Sequence, residues 1–554
     1  MSPKLDLILR NADIVTMDPA RPAARSLGVL HGRIVGLDEE LDGVGAREVL
    51  DLGGRTVVPG FIDAHCHTAW FGLGLIEPSV EGCADFPELY ALLRRAVEKM
   101  DDDDDGAPAE WLVASGFNHR LFGGRFPDLS ELDAATGDVP LFLRHNSGHL
   151  AVVNTAALRL AGLHDAGAPD PAGGTVVRDA AGRPTGVVEE TAQELFQALF
   201  QPRPLARLQA AVERATAAYA SQGITSFTDA GIGAGWIGQS PAELAAFQRA
   251  AAAGTLAARA QLMPVLDALR PLSGHPSDGL GTGLDLGIHS GFGSDMLSLG
   301  PAKVFLDGSL LGETAAVSEP YCSHGSHAGY FQDDPAALRA AIEAAYRSGW
   351  AVAAHAIGDR AVDLALDIFD DLQSRYGRRA LPNRIEHASI VRPDQVARLA
   401  RAGIAVTPQS SFFRDGGDGM TASLGAARAA WAYRAASFVE AGIVVAGSSD
   451  RPVADGDVLR GMQAYVDRLT ASGAVFGSPE ERLTRRQALA LYTTGAAAAT
   501  GASRLKGSLS PGKLADAVVL SGSPLDAPQL TDLAVEATFL GGAPTHSLLE
   551  KVSA

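Results

Sequence analysis

The feature that most constrains the fold is an alternation of apolar, strand-like segments with helical segments rich in Ala, Leu and Arg along the middle of the chain. This alternation is typical of parallel strands joined by helical crossovers. Eight such strands predict an α/β fold, a TIM (β/α)8 barrel over residues 59–500. The predicted strands are residues 57–67, 223–230, 258–266, 301–308, 350–356, 384–388, 403–409 and 442–450, and representative predicted helices are residues 205–222, 338–349 and 393–403.

Two departures from a plain barrel are expected. The gap between the first two strands is far longer than an ordinary loop, and it contains strand-like segments at 111–117 and 139–145. We therefore predict an inserted subdomain at about 75–205, lying over the C-terminal face of the barrel where active sites are found. Residues 1–58 and 501–554 both show short runs typical of antiparallel strands, and we predict that together they form a small β-sandwich.

Charge and composition narrow the function classes. A formal net charge of −19 argues against nucleic acid and anionic membrane partners, and no apolar run approaches the roughly 20 residues that span a bilayer. Acidic residues interrupt the N-terminal apolar stretch, so we expect no signal peptide and a cytoplasmic location. With only three cysteines, any metal must rely on nitrogen and oxygen ligands. The expected partner is a small-molecule substrate, and a homodimer is a reasonable expectation.

Polar residues near the ends of several predicted strands indicate a metal site. His65 and His67 are two apart, so their side chains project to the same side of a strand. Barrel enzymes place catalytic groups at the C-terminal ends of strands, and buried charged groups there need a partner. One shared metal cluster would supply a partner for each of these buried groups. The candidate ligands are His65, His67, Lys303, His355, His387 and Asp450.

Several motifs resemble those of a known family. The segments PGFIDAHCH and GSLSPGKLADAVVL, with the spaced Lys, His, His and Asp, resemble the amidohydrolase superfamily over nearly the whole chain. The segments KVFLDGSL, AAHAIGDRAV, RIEHAS, GSSDRPV and RHNSGHLAVVN resemble its branch called amidohydrolase family 3, which includes N-substituted formamide deformylases. The resemblance implies a metal-bearing barrel together with a β-sandwich.

The resemblance also assigns roles to the candidate ligands. It implies that His65, His67 and Asp450 bind one metal, that His355 and His387 bind the other, and that a carboxylated Lys303 bridges them. We expect two Zn²⁺ ions per chain, although the same ligands also suit Mn²⁺, Fe²⁺ or Co²⁺. If Lys303 stays an amine, a mononuclear site is expected instead.

The predicted activity is hydrolysis of a non-peptide carbon–nitrogen (amide) bond by a metal-activated hydroxide, with Asp450 as the catalytic base. An N-substituted formamide or another N-acyl compound is the predicted substrate, and His145 and His149 are candidate substrate contacts. One alternative is a mononuclear heterocycle deaminase, which Lys303 opposes. Another is a non-enzymatic binding protein, which the complete ligand set opposes. Glu386 is expected to face the helix layer and pair with an arginine.

Overall fold

The centre of the fold is a set of parallel strands. The computed structural model describes residues 4–102, 111–165, 167–171, 173–235, 237–323 and 325–549. The parallel strands form two four-stranded sheets, and an isolated parallel bridge between Val265 and Lys303 links them. The arrangement is a TIM-barrel-type α/β fold. In spatial order the first sheet contains Leu297–Leu299, Arg259–Pro264, Ile224–Ile232 and Phe61–Cys66, and the second contains Ala302–Phe305, Val352–Ala356, Arg384–His387 and Ala405–Thr407.

The first predicted strand, 57–67, is wrong as a single element because the chain changes sheets at Gly60. Thr56–Pro59 pairs with Ala517–Leu520, whereas Phe61–Cys66 pairs with Ile224–Ile232. A Cβ on Gly60 would lie 2.1 Å from Thr225 Oγ1, so only glycine fits this crossing point.

The eighth predicted strand, 442–450, is not a regular strand. Val445 and Ser448 form only isolated parallel bridges, to Val406 and Gln409. On the other side Ala64 N donates to Gly447 O at 3.2 Å. The segment therefore lies between Phe61–Cys66 and the strand Ala405–Thr407, and it brings Asp450 beside Phe61–Cys66 without a continuous ladder.

Helices follow most of the parallel strands, and the three representative predictions are confirmed within a few residues. Local signals explain their ends: the Asp334 side chain caps one N-terminus, and Gly403 ends another helix with a φ of 67°. Among the described residues no helix is both long and apolar enough to cross a membrane. The helices outside the insertion are Thr68–Gly74, Leu205–Ser221, Glu243–Ala253, Pro335–Arg347, Asp359–Tyr376, Pro393–Ala402, Ser410–Leu424, Ala426–Ala429, Ala435–Glu440, Val458–Asp467, Arg485–Ala490 and Ala496–Ala499.

The long segment after the first parallel strand has a sheet of its own, and both strands predicted there, 111–117 and 139–145, are confirmed. Its strands in spatial order are Gly174–Arg178, Pro184–Glu190, Leu150–Val153, Leu141–His145 and Leu112–Phe117. Helices Phe86–Asp102, Leu129–Thr136, Thr155–Leu160 and Ala192–Phe200 accompany it. Two hydrophobic clusters formed by residues of this segment make it a packed unit rather than an open loop.

Residues from both terminal regions share one six-stranded sheet, as the sequence predicts. Most strand pairs in the terminal regions are antiparallel, as expected. Two pairs are parallel: Leu5–Arg10 with Ala46–Asp51, and Asp13–Val15 with Thr56–Pro59. The six-stranded sheet contains Ala543–Ser547, Val535–Leu540, Ala517–Leu520, Thr56–Pro59, Asp13–Val15 and Ala23–Ala24, and a four-stranded sheet contains Arg33–Leu37, Leu27–Leu30, Leu5–Arg10 and Ala46–Asp51. One hydrophobic cluster includes residues of both sheets.

Candidate metal centre

The two histidines of the first parallel strand meet the carboxylate of Asp450. His65 Nε2 lies 3.2 Å and His67 Nε2 lies 2.9 Å from Asp450 Oδ1. All three side chains are buried. Burial lowers the pKa of His67 to about 4, so this imidazole is neutral and can offer a lone pair. Burial opposes ionisation of Asp450, but the neighbouring His65 and His67 hold its pKa well below the usual range.

His387 completes a group of three possible ligands with His65 and Asp450, because one atom from each lies within 4.8 Å of the others. His387 and Asp450 have φ angles of 70° and 59°, in the left-handed region that non-glycine residues rarely adopt. Such strain persists where the surrounding structure enforces a functional arrangement. Three nitrogen and oxygen donors at this separation suit a divalent cation.

Lys303 lies close enough to His67, His355 and His387 to lower the pKa of each imidazole beyond the effect of burial, and the residue is only 1% exposed. Its Nζ has no hydrogen-bond partner among the described residues, and the same is true of His65 Nε2 and Asp450 Oδ1. The short approaches of the imidazoles to Asp450 therefore lack hydrogen-bond geometry. Burial lowers the pKa of Lys303 to about 8. Buried polar atoms normally have partners, so converging donor atoms without them fit a site that holds a metal.

His355 is beside the cluster, with its ring centroid 4.5 Å from that of His387, but it is not one of the three grouped ligands. Its Nε2 is hydrogen-bonded at 3.0 Å to the carbonyl of Gly308. Burial, with His387 and Lys303 nearby, lowers its pKa well below the ordinary value, so the imidazole is neutral. The structure thus brings all six predicted ligand positions together, while His355 Nε2 is directed at a backbone oxygen.

Residues of neighbouring strands hold these imidazoles in place. The expectation that Glu386 faces the helix layer is wrong, although its pairing with an arginine is correct. Its carboxylate accepts hydrogen bonds from Arg384 Nη2 at 2.8 Å and from His65 Nδ1 at 2.5 Å. Gln409 Oε1 similarly accepts from His387 Nδ1 at 2.8 Å. Both contacts leave the other ring nitrogen available for a ligand.

Sequence reasoning did not find these supporting roles. A usable signal for Glu386 was present: Arg384 and Glu386 are two apart on a predicted parallel strand, so they share one face. A charged pair on such a strand indicates an internal ion pair. No pattern in the sequence indicates the role of Gln409.

A cleft of about 750 Å³ opens over the cluster. Its described lining does not include the six candidate ligands, but it includes three aromatic side chains whose rings neighbour theirs. The distances between ring centroids are 5.7 Å for Trp70 and His67, 6.1 Å for Phe412 and His387, and 6.4 Å for His149 and His355. A substrate bound in the cleft would therefore lie next to the ligand cluster.

The predicted substrate contacts His145 and His149 both line this cleft. His149 Nδ1 is hydrogen-bonded at 2.9 Å to Glu190, whose φ of 51° is also in the left-handed region. Both nitrogens of His145 have partners: Nδ1 bonds to Ser147 Oγ, and Nε2 lies 3.0 Å from His119 Nδ1. His149 is thus aligned by a carboxylate, whereas His145 is held inside the cleft wall.

A model of the family described as "Amidohydrolase family" matches residues 48–546, most of the chain. The chain belongs to this amidohydrolase family. Protein LONG AFTER FAR-RED 3 of Arabidopsis thaliana is 31% identical over 97% of this chain and 91% of its own length. The N-substituted formamide deformylase of Arthrobacter pascens is 29% identical over 98% of both chains.

A solved structure with a similar fold also belongs to a protein described as a metal-dependent hydrolase. An uncharacterized metal-dependent hydrolase from Pyrococcus horikoshii superposes with a TM-score of 0.73 at 26% identity, covering 94% of this chain and 98% of that one. As a member of its family, this amidohydrolase is a hydrolase that acts on carbon–nitrogen bonds, and His65, His387 and Asp450 form its candidate metal-binding group.

Proposed function

We propose that this amidohydrolase cleaves the amide bond of an N-acyl compound, with an N-substituted formamide as the first candidate substrate. The observation that carries the proposal is that His65 Nε2 lies 3.2 Å from Asp450 Oδ1, with Lys303 near enough to Asp450 to interact electrostatically. These two atoms and Lys303 Nζ are buried and have no hydrogen-bond partners among the described residues. The relative from Arthrobacter pascens, named an N-substituted formamide deformylase, supports the substrate class.

The proposed metal ligands follow from the same cluster. His65, His67 and Asp450 would hold one divalent ion, His355 and His387 a second, and Lys303 would bridge them as a carbamate. The nitrogen and oxygen donors favour zinc, and a lysine amine without a hydrogen-bond partner supports carboxylation. When bound, such an ion supplies Lewis acidity, which makes water a better nucleophile and polarises a carbonyl.

The side chains of the protein account for the remaining steps. In amide hydrolysis the water oxygen bonds to the carbonyl carbon, the carbon–nitrogen bond breaks, and a proton must reach the departing nitrogen. Asp450, ionised at neutral pH, would accept the proton from the water and deliver it to that nitrogen. His149, aligned by Glu190, would contact the substrate from the cleft wall, and we retain His145 as a second candidate contact from the same wall.

A second candidate, a mononuclear heterocycle deaminase, is favoured by one observation. Only three of the candidate ligands form a close group, and His355 Nε2 is engaged by Gly308. Lys303 opposes this function, because it has no role in a mononuclear site of that kind. The amide hydrolase therefore remains the proposal.

The finer architecture is also proposed. We infer a closed eight-stranded barrel over residues 59–500, an inserted subdomain at about 75–205, and a β-sandwich made from 1–58 and 501–554. Support comes from the hydrogen bonds of segment 442–450 to both flanking strands and from the cluster shared by the two outer sheets. A cytoplasmic homodimer acting on a small molecule, with no nucleic acid or membrane partner, completes the proposal.

The test is a substrate panel of N-substituted formamides, N-acyl amino acids, carbamates, cyclic ureas, lactones and aminated heterocycles. Each reaction is followed by its product: formate or another acid together with an amine, or ammonia. We expect turnover of formamides or other N-acyl compounds with release of an amine. Ammonia release from heterocycles alone would favour the deaminase and overturn the proposal.

A further inference from the structure

Arg144 is a buried cation whose charge is not balanced. It lies on strand Leu141–His145 of the inserted sheet, and the residue is 5% exposed. Its Nε and Nη2 have no hydrogen-bond partner among the described residues, and no ion pair joins it to a carboxylate in that part of the chain. A buried arginine without a counter-charge is costly to the folded state, so an anion that binds beside it would be strongly favoured.

Glu77 is the carboxylate that raises the pKa of Arg144, but other arginines already engage it. Glu77 Oε1 lies 2.9 Å from Arg203 Nη2 and 3.5 Å from Arg207 Nη2. Burial lowers the pKa of Arg144 to about 10, with Glu77 opposing that effect, and the guanidinium stays charged at neutral pH. Several cations therefore share one carboxylate, and a net positive charge remains at Arg144.

Arg144 faces the cleft over the candidate metal centre. It is part of the cleft lining together with His149 and Trp70. Its Cζ lies 5.4 Å from the ring of Trp70, which in turn lies 5.7 Å from the ring of His67. The guanidinium is thus separated from the candidate ligands by one indole, a distance that a small substrate can span.

Behind Arg144 lies a recess that cannot neutralise it. The recess has a volume of about 10 Å³, enough for roughly one water molecule, and its lining includes Gln197 and Gln239. Gln197 Oε1 and Gln239 Oε1 are acceptors without partners among the described residues. Neutral amides can satisfy N–H groups but not a charge, so a compensating anion has to come from the cleft.

We propose that Arg144 is the anion-binding subsite of the cleft and that the substrate is an N-acyl compound carrying a carboxylate. The planar fork of a guanidinium matches a carboxylate in two parallel hydrogen bonds, which gives orientation as well as affinity. The substrate would place its carboxylate at Arg144 and its amide beside the ligand cluster. The inference rests on the proposed amide hydrolysis and deepens it by naming the substrate class.

The test compares two probes that differ in charge and contain no N-acyl group, phenylacetate and 2-phenylethanol, binding to the metal-loaded protein in calorimetry. We expect phenylacetate to bind roughly tenfold or more tighter, the usual scale of a charged hydrogen-bonded pair. Arg144→Gln removes this preference, and Arg144→Lys keeps part of it. Arg120→Gln is the matched control, because Arg120 also lines the cleft but is exposed and donates to Leu311 O.

Equal binding of both probes to the wild-type protein overturns the subsite. A preference that persists in Arg144→Gln overturns it as well, because the carboxylate then binds elsewhere, for example at the metal. If Arg144→Gln does not fold, the wild-type preference and its size in Arg144→Lys decide. A separate experiment compares the turnover of N-formylphenylalanine with that of N-formyl-2-phenylethylamine. If neither compound is hydrolysed, the proposed formamide hydrolysis is contradicted, whereas the conclusion about anion binding at Arg144 is unaffected.

Discussion

The carboxylate of Glu386 accepts a hydrogen bond from His65 Nδ1, and it thereby fixes which nitrogen of His65 faces Asp450. The same carboxylate is bound by Arg384 and by the hydroxyl of Thr407. A buried anion on strand Arg384–His387 therefore aligns an imidazole on strand Phe61–Cys66. The geometry of the candidate metal centre depends on this pair as much as on the ligands themselves.

Replacing Glu386 with Gln should weaken metal binding without removing a ligand. The amide cannot accept from Arg384, Thr407 and His65 as an anion does, so His65 loses its alignment. Removing such a partner typically lowers metal affinity roughly 10- to 100-fold. Competition with a chelator measures this effect. Glu343→Gln, a change in a carboxylate of a surface ion pair, serves as the control, and equal affinities in the two variants would contradict the role given to Glu386.

Elemental analysis of protein purified without chelator should give about two divalent ions per chain. Lys303→Met should reduce that number, because the proposed bridging group is lost. Native mass measurement should find one added carbon dioxide on the wild-type chain and none on this variant. Lys506→Met is a matched control, since burial also lowers the pKa of Lys506 to about 8 but the residue lies near Asp516, in the terminal sheet region. One ion and an unmodified Lys303 would leave only a mononuclear site.

Asp450→Asn should keep most of the bound metal but lose turnover, because an amide cannot accept the proton from water. We expect a fall in kcat of about 100-fold or more, with little change in KM. Asp455→Asn, at a cleft carboxylate that pairs with Arg414 and Arg460, should retain activity. Wild-type turnover in Asp450→Asn would remove that residue from proton transfer.

His149→Asn should lower kcat/KM far more than His145→Asn. His149 is aligned by Glu190 next to His355, whereas both nitrogens of His145 are engaged by Ser147 and His119. Steady-state kinetics on the best substrate of the panel, with metal content measured in parallel, separates substrate contact from damage to the metal site. Similar losses in both variants would mean that the cleft wall acts only as a structural unit.

Ionisation of Glu243 should lower the free energy of unfolding as the pH rises. Burial, together with nearby Asp229, raises the pKa of Glu243 to about 8, so the folded protein favours the neutral acid. Its stabilising contribution is present below the ordinary pKa and is lost as the pH rises through about 8. The Tm of Glu243→Gln should therefore increase relative to wild type between pH 5 and pH 9. Exposed Glu440→Gln is the control, and a pH-independent difference would contradict this assignment.

Much of the site could be predicted because parallel strands end at one edge of a sheet. His355 and His387 lie at the C-terminal ends of their strands, and strand pairing then brings them together. The expectation that Lys303 also ends a strand is wrong, because it is the second residue of Ala302–Phe305 and lies two residues before Phe305, the partner of His355. What could not be predicted depends on contacts between distant residues. The pairing of His65 with Glu386 and the direction of His355 Nε2 arise only when strands from different parts of the chain are adjacent.

The same distinction applies to the fold. Hydrophobic patterning predicts the parallel strands other than the short Leu297–Leu299, which it misses. It also cannot show that the first segment divides at Gly60, because the reason is a close approach to Thr225. The irregular segment 442–450 also has strand-like composition, and its hydrogen bonds to two neighbours replace a regular ladder.

The pairing of Thr56–Pro59 with Ala517–Leu520 has a consequence for biosynthesis. The ribosome produces the first of these strands several hundred residues before its partner, so the nascent chain must carry an incomplete sheet edge during most of translation. The free backbone groups of such unpaired edges can form hydrogen bonds with other chains and so promote aggregation. The folding of this protein in the cell should therefore depend on chaperones that shield the early strands until the late ones emerge.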